Sequence, residues 1–152
     1  MNRANDDKRL KALIRLQETM TKAGVTNELV KKGEQKSPLD MLVCDHAGIT
    51  GQYFFPEIKS GENVFYFSCL MVIDGKADKK EAKALSDLLS EVNTELVCGM
   101  FAVFPGIGLA YRLTVPIPES ISDDALFETM DIAAAHAMAL SAGFEKRRAA
   151  NR

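Results

Sequence analysis

Three residues that could bind a metal ion stand side by side in this chain: Cys44, Asp45 and His46. Thiolate and imidazole groups are ligands that zinc prefers. The other histidine and the other two cysteines are far away in the sequence, so a four-ligand site would need distant segments to converge. We therefore interpret His46 as part of a loop between two strands, and we predict that the protein holds no metal ion and no cofactor.

The cysteines, Cys44, Cys69 and Cys98, each lie in an apolar run that is typical of a strand. A catalytic thiol needs a neighbouring base or cation that lowers its pKa, and apolar surroundings have the opposite effect. An odd number of widely separated cysteines also argues against a disulfide framework. We expect three buried, reduced thiols.

Acidic residues that could serve as a general acid and a general base occur near the end of the chain. They are Asp123, Asp124, Glu128 and Asp131. Ser122 precedes them, and a serine followed by carboxylates is typical of a helix N-terminus. We therefore predict a helix start here and no catalytic residues in the chain. An enzyme is the least favoured class, and dependence of an activity on Asp45, His46 or His136 would reveal it.

The segment Gly106-Ile107-Gly108 has the glycine content of a phosphate-binding loop. Such loops lead directly into a helix whose N–H groups hold the phosphate, whereas a strand-like run follows this one. We predict a hairpin turn between strands 99–104 and 109–115.

The chain has 152 residues, of which 47% are hydrophobic, and this suits one domain with a self-sufficient core. We predict a single domain over residues 1–152, with frayed ends at 1–5 and 145–152 and a connector at 25–37. The net charge of -2 gives no overall attraction to nucleic acid or anionic lipid. The N-terminus does not resemble a secretory signal, and no apolar run reaches the roughly 20 residues of a membrane helix. We expect a cytoplasmic protein with no nucleic-acid or membrane partner.

Hydrophobic periodicity predicts five strands and three helices. The strands are 39–45, 51–58, 64–73, 99–104 and 109–115, and the helices are 6–23, 78–97 and 125–144. Asp78 followed by Glu81 is typical of a reciprocally capped helix start. Strands on both sides of one crossover helix favour an α+β fold with a mainly antiparallel five-stranded sheet, in the order α-β-β-β-α-β-β-α.

The third strand, 64–73, is apolar in both of its alternating sets, so it needs cover on both faces. Three helices of this size cover one face of a five-stranded sheet well and the other only in part. Aromatic residues on this strand and the preceding one would then form a surface for a partner. The predicted partner-binding residues are Tyr53, Phe55, Phe65 and Phe67. An intramolecular core is the alternative role for the same side chains.

The second helix carries an apolar stripe at helical spacing, which consists of Leu85, Leu88, Leu89 and Val92. The stripe either packs on the chain's own sheet or pairs with its mate across a twofold axis, which would bury the same patch twice. It is the predicted dimer interface, and packing on the chain's own sheet is the open alternative.

The element order resembles that of the YbjN-type, type III secretion chaperone-like family. The resemblance lies in a helix over 77–97, the strands 101–104 and 110–116, and the helix start at 122–126. It implies a small cytoplasmic homodimer that holds an extended segment of another protein, or a regulator without chemistry of its own. It brings no set of functional residues that could be assigned here.

Two functions follow from these expectations. The first is a non-enzymatic, homodimeric, chaperone-like module that holds a segment of a partner protein on the sheet face or edge. The second is a regulator that binds a small apolar ligand between the C-terminal helix and the sheet, because the alanines of that helix leave room beside it.

Overall fold

In the part of the chain that the structure describes, the fold consists of four α-helices and six β-strands. A computed structural model of the protein describes residues 3–58 and 63–151. The helices are α1 (Arg3–Lys22), α2 (Lys79–Ala84), α3 (Ser86–Glu95) and α4 (Asp123–Ala150), and the strands are β1 (Asn27–Val30), β2 (Met41–His46), β3 (Ile49–Phe54), β4 (Val64–Asp74), β5 (Met100–Phe104) and β6 (Gly108–Pro118). None of the described helices has both the length and the apolar character that crossing a membrane requires.

The strands form one antiparallel sheet in the order β1-β2-β3-β4-β6-β5. The predicted α+β class is therefore confirmed, while the predicted five strands and three helices are each one too few. The extra strand is β1, which lies inside the predicted connector 25–37 and pairs Leu29 with Leu42 of β2. Four residues are too few to show a period in the sequence, and this strand depends on its pairing with β2 and its packing against α1.

The extra helix arises from a break in the predicted helix 78–97. Asp78 caps its start as expected, because its carboxylate accepts bonds from the N–H groups of Lys80 and Glu81 at 3.0 and 3.2 Å. The backbone leaves helical geometry at Leu85, where φ is −95° and ψ is 4°, and α3 begins at the next residue. The apolar stripe begins at this break, and Leu88 and Val92 of α3 are buried in the core.

Helices α1, α3 and α4 contribute buried side chains to the core on one face of the sheet, and α2 contributes none. Their contributing side chains include Leu13, Leu16, Met20, Leu88, Val92, Leu126, Met130 and Ala137. Phe101 of β5 stacks on Phe144 of α4 with ring centroids 4.5 Å apart. Full burial of side chains of this size stabilises a fold by about 1.5–3 kcal/mol each, so this face supplies most of the stability.

The C-terminal end of α4 is anchored by ion pairs rather than frayed. Arg148 is only 8% exposed and contacts Asp74 of β4, Glu81 of α2 and Glu145 of its own helix, at 2.9, 2.9 and 3.2 Å. Residues 145–150 of the predicted frayed end belong to α4, and residue 152 lies outside the described part of the chain. At the other end, residues 1 and 2 lie outside the described part of the chain, and residues 3–5 belong to α1.

We predict that Arg148→Met lowers the free energy of unfolding by about 3 kcal/mol, because three carboxylates lose their shared cation. Arg147→Met is the matched control. Arg147 pairs with Glu91 and Glu95 at the surface, and surface pairs contribute less than about 1 kcal/mol. Equilibrium unfolding in urea measures both variants. Equal losses in the two would contradict the anchoring role of Arg148.

The same contact has a pH signature. The hydrogen bond from Arg148 holds the pKa of Asp74 below its ordinary value. The contribution of Asp74 to stability is therefore complete above about pH 4 and is lost as the pH falls through the folded-state pKa. Arg148→Met should make the unfolding free energy fall less steeply with acidification than in the wild type.

Gly108 allows the hairpin to pass the end of β4. Its φ is +110°, and a Cβ atom there would collide with the carbonyl oxygen of Asp74. We predict that Gly108→Ala costs about 3 kcal/mol in unfolding free energy. Gly106 has a φ of +74° but open space around it, so Gly106→Ala should cost about 1–2 kcal/mol. Urea unfolding of the two variants gives the comparison, and a smaller loss at Gly108 would refute it.

Candidate functional site

The four predicted partner-binding residues lie on the face that the helices cover. Tyr53 and Phe67 have no exposed surface, Phe55 is buried, and Phe65 packs against the same core. The rings contact one another, with Tyr53 stacked on Phe67 and Phe55 tilted against Phe65. A partner cannot reach this cluster, so the predicted surface is corrected to a core. These side chains instead form an intramolecular core, which was the alternative role expected for them.

The predicted dimer stripe on α3 is also used within the chain. Leu85, Leu88 and Val92 are buried in the main core, and Leu89 packs against it. Packing on the chain's own sheet, the open alternative, is therefore the arrangement in the structure. A dimer would need another surface.

The residues considered as metal ligands have separate partners. Cys44 is buried, and burial raises its pKa to about 11. The carboxylate of Asp45 accepts a bond from the N–H of Gly48 at 2.9 Å, and Nε2 of His46 lies 2.6 Å from Oη of Tyr53. Desolvation lowers the pKa of His46. Within residues 3–58 and 63–151, no three His, Cys, Asp or Glu side chains converge as a metal site.

The opposite face of the sheet carries both apolar and polar side chains, and no helix covers it among the described residues. We call it the uncovered face. One cross-strand row on it joins Glu28, Val43, Gln52, Leu70 and Arg112, strand by strand. Its small core contains no helical residue and consists of Phe54, Leu70 and Ala110, with Leu39, Met41, Phe104 and Ile107 packed against them.

A sheet face in contact with water normally carries polar side chains. On β4 the uncovered face instead presents Val64, Tyr66, Leu70 and Val72, interrupted by Ser68. Ser68 is satisfied by Thr114, whose hydroxyl lies 2.7 Å away on β6. The face is therefore suited to contact with another apolar surface.

A groove lies at the corner of the sheet where β5 is too short to follow β6. Pairing with β5 ends at Arg112, so residues 113–118 have no strand neighbour on that side in the described part of the chain. The free edge faces α4 across a cavity of about 440 Å³. Its lining includes Leu113, Val115, Pro116, Ile132 and Ala133. Ile132 is 63% exposed although it is apolar.

The free edge has few N–H donors. Pro116 and Pro118 lie within it and have no N–H group. A segment that binds here must therefore gain much of its affinity from side chains in the groove.

Three side chains meet at one end of the groove: Cys98, Tyr111 and His136. The hydroxyl of Tyr111 donates to the carbonyl oxygen of Cys98 at 2.9 Å and lies 2.8 Å from Nε2 of His136. Sγ of Cys98 lies 3.8 Å from the same nitrogen. Gly99 makes this approach possible, because a Cβ atom there would collide with the Tyr111 ring.

Sequence reasoning missed this cluster. Cys98 was expected to be a buried strand residue, but it lies exposed in the loop between α3 and β5. Cys98 and His136 are 38 positions apart, and no spacing rule links them. Only the placement of α4 beside β6 brings them together.

Comparisons with protein-family models, with curated proteins and with solved structures found no match to this chain. The resemblance to the type III secretion chaperone-like family therefore stays a prediction from element order, and the function must be argued from the surfaces described above.

Proposed function

We propose that the protein is a non-enzymatic protein-binding module that acts as a homodimer. The observation that carries this proposal is the uncovered face, where Val64, Tyr66 and Val72 of β4 are only half-buried and no described helix lies over them. Apolar patches of more than a few hundred Å² on a soluble domain are typical of association sites. This surface takes the place of the buried aromatic cluster that the sequence had suggested.

A second copy of the chain is the occupant that the charges favour. Glu28 and Arg112 lie in the same cross-strand row, four strands apart. A twofold axis parallel to the strands and midway across the sheet would place β6 of one copy opposite β2 of the other. Arg112 would then lie one strand spacing, ~5 Å, to the side of the strand β1 that carries Glu28. Two sheet faces pack about 10 Å apart, a distance that an arginine side chain can bridge.

The free edge of β6 lies beside this face and not on it. In such a dimer, residues 113–118 stay accessible to an extended segment of a partner protein. Carbonyl groups of the edge would accept its N–H groups, and the groove would receive an apolar side chain. The chaperone-like part of the proposal rests on this geometry.

The dimer is tested by reversing the two charges. We predict that Arg112→Glu weakens the dimer about tenfold, because it brings two carboxylates together. Glu28→Arg should weaken it similarly, and the double variant should recover most of the affinity. Sedimentation equilibrium at micromolar concentration measures the dissociation constant. Lys83→Glu, on the exposed surface of α2, is the control.

Two results would contradict the proposed dimer. One is a wild-type protein that stays monomeric up to the highest concentration. The other is a double variant that is weaker than either single variant although all of them unfold at the wild-type temperature.

The groove supports a second candidate function, the binding of a small apolar ligand. Its volume of about 440 Å³ lies within the range of ligand pockets, and most of its lining is apolar. We predict that medium-chain aliphatic ketones raise the melting temperature. A ligand at one hundred times its dissociation constant adds about 2.7 kcal/mol to the free energy of unfolding. Ile132→Gln should reduce the shift, and Ala135→Gln, exposed on the same helix, should not. No shift with any such ketone would refute this candidate.

A further inference from the structure

We infer that Cys98 is a covalent attachment site for an apolar electrophile of the α,β-unsaturated carbonyl class, whose chain lies in the groove between α4 and β6. The inference rests on the second candidate function, because it takes the groove as a ligand site. It is carried by the exposed thiol, the imidazole beside that thiol and the apolar walls that lead away from it.

The fold exposes one of the three thiols. Cys44 and Cys69 are buried beneath the helices, and burial raises their pKa values to about 11 and about 12. Cys98 is exposed at the end of the groove. A reagent that reacts with thiolate therefore meets Cys98 first.

The hydrogen bonds around Cys98 place an N–H donor near its sulfur. The hydroxyl proton of Tyr111 is directed at the carbonyl oxygen of Cys98, so the phenol oxygen accepts a hydrogen bond from the N–H group at Nε2 of His136. Burial raises the pKa of Tyr111, which keeps the phenol protonated. Nε2 then also lies 3.8 Å from Sγ, so its N–H group can form a weak hydrogen bond with the sulfur. His136 is a positioning residue in this scheme.

The reaction balances without an oxidant or a leaving group. The thiol releases its proton to water, and the thiolate attacks the β-carbon of the unsaturated carbonyl compound. A carbon–sulfur bond forms, and the electron pair of the carbon–carbon double bond moves onto the α-carbon and the carbonyl. The α-carbon then takes a proton from water.

The groove should select for the chain that the electrophile carries. Leu113, Val115 and Ile132 line the cavity that begins at Cys98. A chain attached to the β-carbon lies close to the sulfur during the attack and can enter this cavity. Longer apolar chains should therefore react faster at Cys98 than at a free thiol.

The experiment compares two methyl enones with the full-length protein. One carries a pentyl group on the β-carbon and the other a methyl group. Intact-mass spectrometry gives each rate of adduct formation, and division by the rate with N-acetylcysteine removes intrinsic reactivity. We expect the pentyl enone to be favoured about tenfold, which is less than full burial of four methylene groups would give. Cys98→Ser should abolish the adduct.

Variants in the groove and at His136 test the two parts of the site independently. Ile132→Gln should remove most of the chain-length preference, whereas Ala135→Gln should keep it. His136→Ala should slow both enones by the same factor, because it removes the N–H group beside Sγ, and His136→Gln, whose amide N–H can reach the position of Nε2, should keep part of the rate. A purely structural role for His136 would give equal losses of rate in these two variants and would remove His136 from the scheme.

A saturated ketone with the same pentyl chain tests binding in the groove apart from attachment to Cys98, because it cannot form the carbon–sulfur bond. Competition by this ketone, together with the chain-length preference, supports both the groove and the attachment. Competition without any preference at Cys98 keeps the groove as a ligand site and overturns the attachment. If the ketone does not compete and Cys98 shows no chain-length preference, both the groove and the attachment are overturned.

Discussion

The fold depends on the close contact between α4 and the central strands of the sheet. Along its buried side, α4 carries Ala133, Ala134 and Ala137, so its axis can approach β4 and β6 closely. A helix that lies over the middle of the sheet leaves room for α1 at one side and for α2 and α3 at the other. The helices then cover most of one face, and among the described residues no helix is left for the second face.

This arrangement explains which features the sequence could reveal. Helix starts follow from local chemistry, and Ser122 caps α4 by accepting a bond from the N–H of Ala125 at 3.1 Å. The long strand β4 and the hairpin between β5 and β6 follow from apolar runs and glycines. Strand β1 and the break at Leu85 depend on tertiary contacts, and local patterns carry no record of these. The end of α4 depends on Arg148, whose partners lie in β4 and α2.

The sites were harder to predict than the fold. Both alternating sets of β4 are apolar, so the sequence could not tell which of them the helices cover. Aromatic content favoured the set with Phe65 and Phe67, and that set forms the core because large rings fill the space beneath α1 and α4. The other set, with Tyr66 and Leu70, forms the uncovered face. The pairing of Cys98 with His136 depends on the position of a loop and was beyond any sequence rule.

The prolines near the end of β6 have a consequence for how the protein behaves at high concentration. An exposed strand edge with a full row of donors and acceptors can template the addition of identical chains without limit. Here the exposed stretch contains Pro116 and Pro118, and the outermost strands β1 and β5 have only four and five residues. The molecule can thus keep an accessible strand edge for a short peptide segment while being protected against growth into filaments.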